Sequence, residues 1–315
     1  MTHSHSTTSA LPDDVVVPGS VANLGGGFDT LGVAVELFLR ARIVEIRRDE
    51  GTRLVVRQST PAVTGENAVE RAFNLLARKI GKSAPSVTVD VESDIPMAAG
   101  LGSSAAATVA GLRIFERVTG VVPDEVLLSV AAEAEGHADN AAPALFGGLT
   151  SVLETADGGF KAFRWTWPEG LRLVVATPSV GLATAKARAA LPDTLPRRDA
   201  IFNLQRVVAL VHALQSGDDQ TLREAVQDRW HQPARAALVP LLREVIELED
   251  PDILGSFLSG AGPSVAILAR REFARIEQTL AALYARAGCE VSIRTLAVHH
   301  AAVMAGAGSG HGRTV

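Results

Sequence analysis

The sequence predicts an α+β fold, in which helices and strands are mixed along the chain. Residues 40–48 and 86–93 alternate between apolar and polar side chains, which is the period of a half-buried strand. Between them, residues 66–81 place apolar side chains at helical spacing and end on Gly81, a common helix terminator. The later elements lack the regular strand–helix alternation of a doubly wound parallel sheet, so α+β is the expected class.

The remaining elements follow in order along the chain. An alanine-rich helix is expected from Ser103 to about residue 118, and another at 123–136, where Pro123 suits the first helical turn. Strands are expected at 147–154 and 171–178, separated by a turn-rich link. The second half is expected to contain helices near 199–216, 219–230, 238–249 and 272–287, and strands at 264–269 and 290–298.

The chain divides into four predicted segments. Residues 1–13 are polar and lack the apolar core of a signal peptide, so we expect a disordered tail. A boundary near the turn-rich link gives an N-terminal domain of residues 14–165 and a C-terminal domain of residues 166–303. The glycine- and serine-rich end, residues 304–315, is expected to be flexible.

Composition narrows the class of protein. Of the 315 residues, 47% are hydrophobic and 21% are charged, as in a globular chain. The formal net charge of -5 argues against a general nucleic-acid binder, because such a protein needs a basic surplus. No apolar run reaches the ~20 residues of a membrane helix, and the single cysteine, Cys289, suits a reducing compartment. We therefore expect a cytoplasmic protein with no nucleic-acid partner and no membrane partner.

Three glycine-rich loops are the first candidates for a functional site. They lie at residues 18–29, 96–107 and 259–265. A single glycine-rich loop is weak support for a site, because glycine also serves ordinary tight turns. Only the middle loop has a second feature, which is a helix that begins directly behind it.

The middle loop has the chemistry of an anion site. Its helix begins at Ser103 or Ser104, where unpaired backbone N–H groups and the helix dipole attract negative charge. Gly100 and Gly102 would let a phosphate approach the backbone closely. An ordinary capped helix of small residues explains the serines and alanines, but not the whole "GLGSS" segment. The loop is neither a GxxxxGK[ST] phosphate loop nor a dinucleotide fingerprint.

Taken together, the three loops resemble the signature motifs of the GHMP small-molecule kinases in order and spacing. The matching segments are "ANLGGGFD", "PMAAGLGSSAAA" and "SGAGPS". Within that superfamily the finer resemblance is to the homoserine kinases, and it covers nearly all of residues 14–303. It is carried by "SVANLGGGFDTLGVAV", "EGHADNAAPALFGG" (135–148), "TAKARAALP" (184–192) and "DRWHQPAR" (228–235).

The resemblance implies a two-lobed GHMP kinase fold with the active site in the cleft between the lobes and an N-terminal domain that binds ATP. The implied reaction transfers a phosphoryl group from ATP to the side-chain hydroxyl of L-homoserine, which gives O-phospho-L-homoserine on the route to threonine. Mg²⁺ is the implied metal. Many relatives form homodimers, so a homodimer is a further expectation.

The resemblance and the anion-site argument together assign the nucleotide and metal residues. On a helix Glu133 and Glu135 cannot face the same way, and the resemblance favours Glu133, with Glu135 as the alternative partner of Ser104 on the metal. The implied nucleotide-binding residues are Asn67, Pro96, Gly100, Leu101, Gly102, Ser103, Ser104, Ala105 and Ala106.

The resemblance also implies a substrate pocket. Arg188 and Arg235 match the arginines that would clamp a carboxylate, a task suited to their planar fork. Asp29, with Asn23 beside it, matches the partner of the ammonium group. His137 and Asn140 would lie near the reacting hydroxyl, and the implied catalytic set is Asn140, Ser104 and Glu133.

The sequence shows no obvious general base, and the resemblance implies direct transfer without one. Asp139 is the residue that would overturn this expectation. Two alternatives stay open at this point: a GHMP kinase for another small alcohol such as mevalonate, and a non-catalytic regulator with the same fold. An ammonium partner at Asp29 weighs against mevalonate, and a complete set of site residues weighs against a regulator.

Overall fold

The computed structural model describes residues 14–48 and 51–300. Both predicted tails, residues 1–13 and 304–315, lie outside the described residues. Within those ranges the chain forms two sheets with helices packed against them, which confirms the α+β class. The helices of the described ranges are all too short or too polar to span a bilayer.

The elements alternate irregularly along the chain. The strands are β1 (Val15–Ala22), β2 (Leu31–Arg47), β3 (Arg53–Thr60), β4 (Ser86–Ser93), β5 (Leu149–Glu154), β6 (Phe160–Trp165), β7 (Arg172–Pro178), β8 (Gly255–Leu258), β9 (Val265–Ala269) and β10 (Val291–Leu296). The helices are α1 (Ala68–Ile80), α2 (Ser103–Thr119), α3 (Asp124–Glu135), α4 (Ala141–Phe146), α5 (Thr184–Ala189), α6 (Arg197–Ser216), α7 (Asp219–Ala225), α8 (His231–Arg235), α9 (Leu242–Ile246) and α10 (Phe273–Arg286).

The first sheet has the strand order β3-β4-β2-β5-β6, with β1 paired to β2. The 17-residue β2 organises it by pairing antiparallel with β1, β4 and β5. Only β3 and β4, among the described strands of this sheet, run parallel. Helices α1 and α2 pack together through Phe73 and Phe115, whose ring centroids lie 5.3 Å apart. This sheet and its helices position the first two glycine-rich loops.

The second sheet has the antiparallel order β10-β7-β9-β8, and its strands β7, β8 and β9 are largely buried on both faces. On β7, Leu173 and Val175 belong to the core shared with the first sheet, whereas Val174 and Ala176 belong to the core under α9 and α10. The chain then returns to the first sheet, where Val298 forms a bridge with β2. The strands thus separate into two groups between β6 and β7, which is compatible with the predicted domains at 14–165 and 166–303.

Some sequence-based boundaries differ from the structure. Strands β1, β3, β6 and β8 were not predicted. β8 has only four residues, β3 and β6 are edge strands, and β1 carries Pro18 and Gly19, where its pairing is irregular. The helix expected at 238–249 forms only as α9, since Pro240 cannot lie inside a helix. The helix expected at 219–230 ends with α7, because the Asp228 carboxylate accepts backbone N–H groups that begin the next helix.

Candidate active site

The three glycine-rich loops meet at one cleft. The Ser20 amide donates to Leu101 O at 3.0 Å, which joins the first loop to the middle one. The Ser259 hydroxyl donates to Gly100 O at 2.6 Å, which joins the third loop to the middle one. The Asn23 amide group donates to Gly260 O at 2.9 Å and closes the set. The cleft is therefore lined in part by loops that connect strands of both sheets.

The middle loop opens α2 with a helix N-terminus whose donors face the cleft. Gly102 precedes the helix in the left-handed conformation (φ 71°) and supplies no side-chain cap. The N–H groups of Ser103, Ser104 and Ala105 have no acceptor within the described part of the chain. A Cβ on Gly102 would lie 2.1 Å from Ser20 Oγ, so Ser20 would have to move to admit any side chain here. The cleft thus receives unpaired donors and the positive end of the helix dipole.

The predicted nucleotide residues divide between two adjoining clefts. The cleft in front of α2 is lined by Gly100, Gly102, Ser103, Ser104 and Ala105. Asn67 lines a neighbouring cleft with Val63 and Met97, and its Oδ1 caps α1 by accepting from Val69 N at 3.0 Å. Ser103 and Ser104 line both clefts, so the two clefts adjoin at these residues. Three predicted residues line neither of these two clefts: Pro96, Leu101 and Ala106.

The carboxylate beside Ser104 is that of Glu135, which corrects the preference for Glu133. Glu135 Oε1 accepts hydrogen bonds from Ser104 Oγ at 3.0 Å and from Thr108 Oγ1 at 2.6 Å. Glu133 points to the other side of α3, where it forms an ion pair with Lys79 at 2.6 Å. Residues i and i+2 of a helix are rotated by about 200° from each other, so only one of these two glutamates reaches the cleft. Glu135 is that residue.

A bidentate ion pair lies at the opposite end of the cleft. Arg188, on α5, donates from Nη1 and Nη2 to the two carboxylate oxygens of Asp29 at 3.0 and 2.7 Å. The Asp29 amide donates to Asn23 Oδ1 at 3.1 Å, which fixes the end of the first loop. Burial opposes the charge of Arg188, but the bond and charge of Asp29 outweigh it and raise the pKa of Arg188. A zwitterionic ligand can bind here, with its ammonium paired to Asp29 and its carboxylate paired to Arg188.

Arg235 is the other predicted arginine, and it is almost completely buried. Its Nε donates to Ala187 O at 3.1 Å, and its Nη1 donates to Gly260 O at 3.1 Å. Burial, followed by the positive charge of Arg188, lowers the pKa of Arg235 to about 10. The group is therefore still charged at neutral pH, and it lines the same cleft as the Asp29 pair.

His137, Asp139 and Asn140 form one hydrogen-bonded unit between the two ends of the cleft. Asp139 Oδ1 lies 2.5 Å from His137 Nδ1 and accepts from Asn140 N at 2.9 Å. Asn140 Oδ1 in turn accepts from Ser20 Oγ at 2.8 Å. Ligand atoms of Asp29, His137 and Asp139 lie within 4.8 Å of one another, a cluster that suits a cationic group.

The His137–Asp139 contact predicts a pH-dependent stability. Burial is the largest influence and opposes the imidazolium, but the hydrogen bond and charge of Asp139 outweigh it and raise the pKa of His137. A raised folded-state pKa adds stability that is present below the unfolded pKa of about 6.5 and is lost as the pH rises through the folded value. The free energy of unfolding of the wild type minus that of His137→Asn should therefore decline above pH 6.5.

Urea titrations of both proteins between pH 5.5 and 8.5 measure this difference directly. A difference that stays constant with pH, or that grows as the pH rises, would mean that Asp139 does not stabilise a charged His137.

Several side chains at the site were not predicted from the sequence. Phe28 lines the cleft, and its ring faces both arginines, with Arg188 Cζ and Arg235 Cζ at 5.6 and 5.2 Å from its centroid. The only sequence signal for it is its place beside Asp29. The other unpredicted residues lie behind the predicted ones: Ser20, Thr108 and His231.

Comparisons with known proteins identify the family of the chain. The model of the GHMP kinases N terminal domain matches residues 67–148, and that of the GHMP kinases C terminal matches residues 210–286. The homoserine kinase of Solibacter usitatus is 37% identical over 270 residues, which covers 82% of this chain and 85% of the relative. The chain belongs to the homoserine kinase family. The homoserine kinase of Gloeobacter violaceus is 38% identical over 303 residues, covering 89% and 98%.

Solved structures show the same family fold. A homoserine kinase from Cytophaga hutchinsonii superposes with a TM-score of 0.80 at 26% identity, covering 92% of this chain and 96% of that one. A mevalonate kinase from L. major, in complex with R-mevalonate, has a TM-score of 0.66 at 19% identity and covers 93% and 98%. That second likeness concerns the fold alone. The sequence-based resemblance to homoserine kinases is thus confirmed.

Proposed function

We propose that the cleft transfers the terminal phosphoryl group of ATP to the side-chain hydroxyl of L-homoserine. The observation that carries this is one continuous cleft with an anion-binding helix N-terminus at one end and an Asp29–Arg188 pair with a buried arginine at the other. A phosphate donor and a zwitterionic amino acid are the two ligands that such ends complement. Family membership supports the same reaction.

ATP would occupy the two adjoining clefts. The base would lie in the cleft beside Asn67, among apolar side chains such as Val63 and Met97. The phosphates would accept hydrogen bonds from the free N–H groups that open α2. Phosphoryl transfer depends mainly on positioning and on charge stabilisation, and these donors supply both without a covalent step.

The residues beside the phosphates fit a magnesium ion. The Ser104 and Thr108 hydroxyls and the Glu135 carboxylate gather at one point, and hard oxygen ligands are what Mg²⁺ prefers. We propose that Ser104 and Glu135 hold it, while Thr108 orients the carboxylate. When bound, the ion would neutralise charge on the phosphate oxygens.

L-homoserine would bind between Asp29 and Arg188 and replace their direct ion pair. Its ammonium would bind Asp29, with the neighbouring Asn23 holding the loop, and its carboxylate would bind Arg188 and Arg235. The ammonium takes the place of Arg188 beside Asp29, and the carboxylate takes the place of Asp29 beside Arg188. The net charge of the cleft therefore does not change. The side-chain hydroxyl would then extend towards Asn140 and His137, which lie between this end and the phosphates.

We propose that no residue acts as a dedicated general base. Asp139 is the nearest carboxylate to Asn140, but its Oδ1 already accepts from Asn140 N and contacts His137 Nδ1. Its role in this account is to orient those two side chains. Asp139→Asn should therefore lower kcat by less than ~10²-fold, which is below the ~10²–10⁴-fold that general-base help is worth.

Steady-state kinetics of Asp139→Asn with both substrates at saturation check this expectation. A fall in kcat beyond ~10²-fold with unchanged KM values would assign proton abstraction to Asp139 instead.

The proposed reaction is tested by identifying its product. Incubation of the protein with Mg-ATP and L-homoserine should give a phosphomonoester on the side-chain oxygen, detected by ³¹P NMR and by mass spectrometry. A phosphorylated carboxyl group, which hydroxylamine would trap, would mean that the substrate binds in the reverse direction. ADP formation without any phosphorylated amino acid would mean that the protein only hydrolyses ATP.

We also propose a homodimer that forms through α6. This helix exposes Ile201, Leu204 and Val208 by 48%, 67% and 71%, and their i, i+3, i+7 spacing makes one apolar stripe. A two-fold axis would pack the stripe antiparallel against itself.

Light scattering tests the dimer. The wild type should have the mass of two chains at tens of micromolar, and Leu204→Glu should have the mass of one. Gln220→Glu, at an exposed position on α7 outside the stripe, is the control and should stay dimeric. A monomeric wild type would contradict the proposed dimer. A cytoplasmic location stays a proposal as well, supported by the dependence on ATP and by the single cysteine.

A further inference from the structure

Arg235 is held by more contacts than a substrate clamp needs. A guanidinium carries five N–H donors. One, on Nε, is bound to Ala187 O, and the two on Nη1 are bound to Gly260 O at 3.1 Å and His231 Nδ1 at 3.3 Å. Nη2 has no hydrogen-bond partner within residues 14–48 and 51–300. Nη2 is therefore the end left for a ligand.

The partners of His231 determine its tautomer. Its Nε2 lies 2.8 Å from Gly25 O, which can only accept, so Nε2 carries the proton. Its Nδ1 faces Arg235 Nη1, which can only donate, so Nδ1 is an unprotonated acceptor. The ring is fully buried and stacks on Phe28 at 5.2 Å between centroids. Burial disfavours the charged form and lowers the pKa of His231, which agrees with a neutral ring.

His231 thereby connects two parts of the substrate pocket. On α8 it lies four residues before Arg235, so the two side chains share one helix face. Its other nitrogen reaches Gly25 in the first glycine-rich loop, which also carries Asn23 and Asp29. A change at this ring would therefore move the Arg235 fork relative to the loop.

We propose that His231 is a positioning residue for substrate recognition, which fixes Arg235 through Nδ1 and leaves Nη2 aimed at the carboxylate of the bound amino acid. The inference rests on the proposed function, since it assumes an amino-acid carboxylate in this cleft. A histidine that merely filled the core would need neither the specific tautomer nor a bond to the guanidinium. The ring also does not reach the reacting hydroxyl in this account, so it acts only through Arg235.

Two substitutions separate the two nitrogens. His231→Asn keeps an acceptor near the position of Nδ1 but loses the bond to Gly25 O. His231→Gln keeps a donor near the position of Nε2 but loses the acceptor for Arg235. His231→Gln should raise KM for L-homoserine about 10-fold or more, with KM for ATP and kcat within about twofold of the wild type. His231→Asn, which keeps the acceptor for Arg235, should have a KM for L-homoserine within about threefold of the wild type.

The matched control is Trp230→Phe. Trp230 packs on the same Phe28 ring, at 4.9 Å between centroids, but its Nε1 has no partner among the described residues. This variant should leave KM for L-homoserine unchanged. In addition, ¹⁵N NMR of the wild type should show one histidine, absent from the His231→Asn spectrum, with an unprotonated Nδ1 and a protonated Nε2. That measurement needs no stable His231→Gln variant.

The outcomes separate this inference from the proposed function. An active wild type in which both His231 variants raise KM for ATP and L-homoserine equally, or neither raises KM for L-homoserine, would overturn the positioning role. A protonated Nδ1 would overturn it too. A wild type that does not phosphorylate L-homoserine would instead overturn the proposed function.

Discussion

Arg235→Met is expected to lower kcat/KM for L-homoserine about 10²- to 10³-fold while leaving KM for ATP unchanged. Loss of one partner of a buried charge pair costs about 2–5 kcal/mol, or about 30- to 4,000-fold, and the expected loss lies inside this range. Arg235 has less than 2% of its surface exposed and is still charged, so its free Nη2 would bind a carboxylate with little competition from water. The ATP end of the cleft does not contact Arg235, which is why KM for ATP should not change.

The control for this variant must account for the structural bonds of Arg235. Its side chain holds Ala187 O and Gly260 O, so the melting temperature and the circular dichroism spectrum are measured beside the kinetics. Arg229→Met is the matched substitution, since Arg229 lies on the same segment but pairs with Asp199 at 3.5 Å outside the cleft. If Arg235→Met folds and its KM for L-homoserine is normal, Arg235 is not part of the carboxylate site.

Glu135→Gln is expected to lower kcat about 10²-fold or more with ATP and L-homoserine at saturation. The substitution keeps the shape of the side chain but removes the charge beside Ser104 and Thr108, where the magnesium ion would bind. Loss of one group that stabilises charge in a transition state typically costs this much. The dependence of turnover on the Mg²⁺ concentration should also shift to higher concentrations.

Glu133→Gln is the matched control, because the same change is made two residues away on the same helix. Its carboxylate pairs with Lys79 at the surface, and an exposed ion pair contributes little. We expect kcat within about twofold of the wild type. If Glu133→Gln lost activity and Glu135→Gln kept it, the geometric assignment would be reversed in favour of the sequence-based one.

The three glycine-rich loops show what the sequence could predict about the site. Each loop could be found from its composition, and the free helix N-terminus follows from Gly102 and the serines behind it. The choice between Glu133 and Glu135 could not be made in this way, because it depends on the rotation of α3 relative to α2. Lys79 on α1 and Thr108 on α2 decide it, and both are distant in sequence from α3.

The arginines illustrate the same limit. Their segments were found by resemblance, but the reason that Arg235 is buried lies in contacts with Ala187, Gly260 and His231 on separate parts of the chain. No local pattern encodes such contacts, since they form only when the third loop and α8 pack together. A histidine four residues before an arginine is the only local signal, and alone it is too common to assign a role.

The fold shows where local patterns succeed. Long elements with a clear period, such as α1 and β4, appear close to their predicted bounds. Edge strands such as β6 and the four-residue β8 were missed, because they gain their stability from pairing partners and not from an amphipathic pattern of their own.

ADP release by the purified protein with Mg-ATP, compared across L-homoserine, D-homoserine, L-threonine and mevalonate, shows which compound the cleft phosphorylates. We expect turnover that strongly favours L-homoserine, because only this compound places a carboxylate, an ammonium and a primary hydroxyl at the three parts of the cleft with the right handedness. Equal or faster turnover of mevalonate, which has no ammonium for Asp29, would contradict the proposed function.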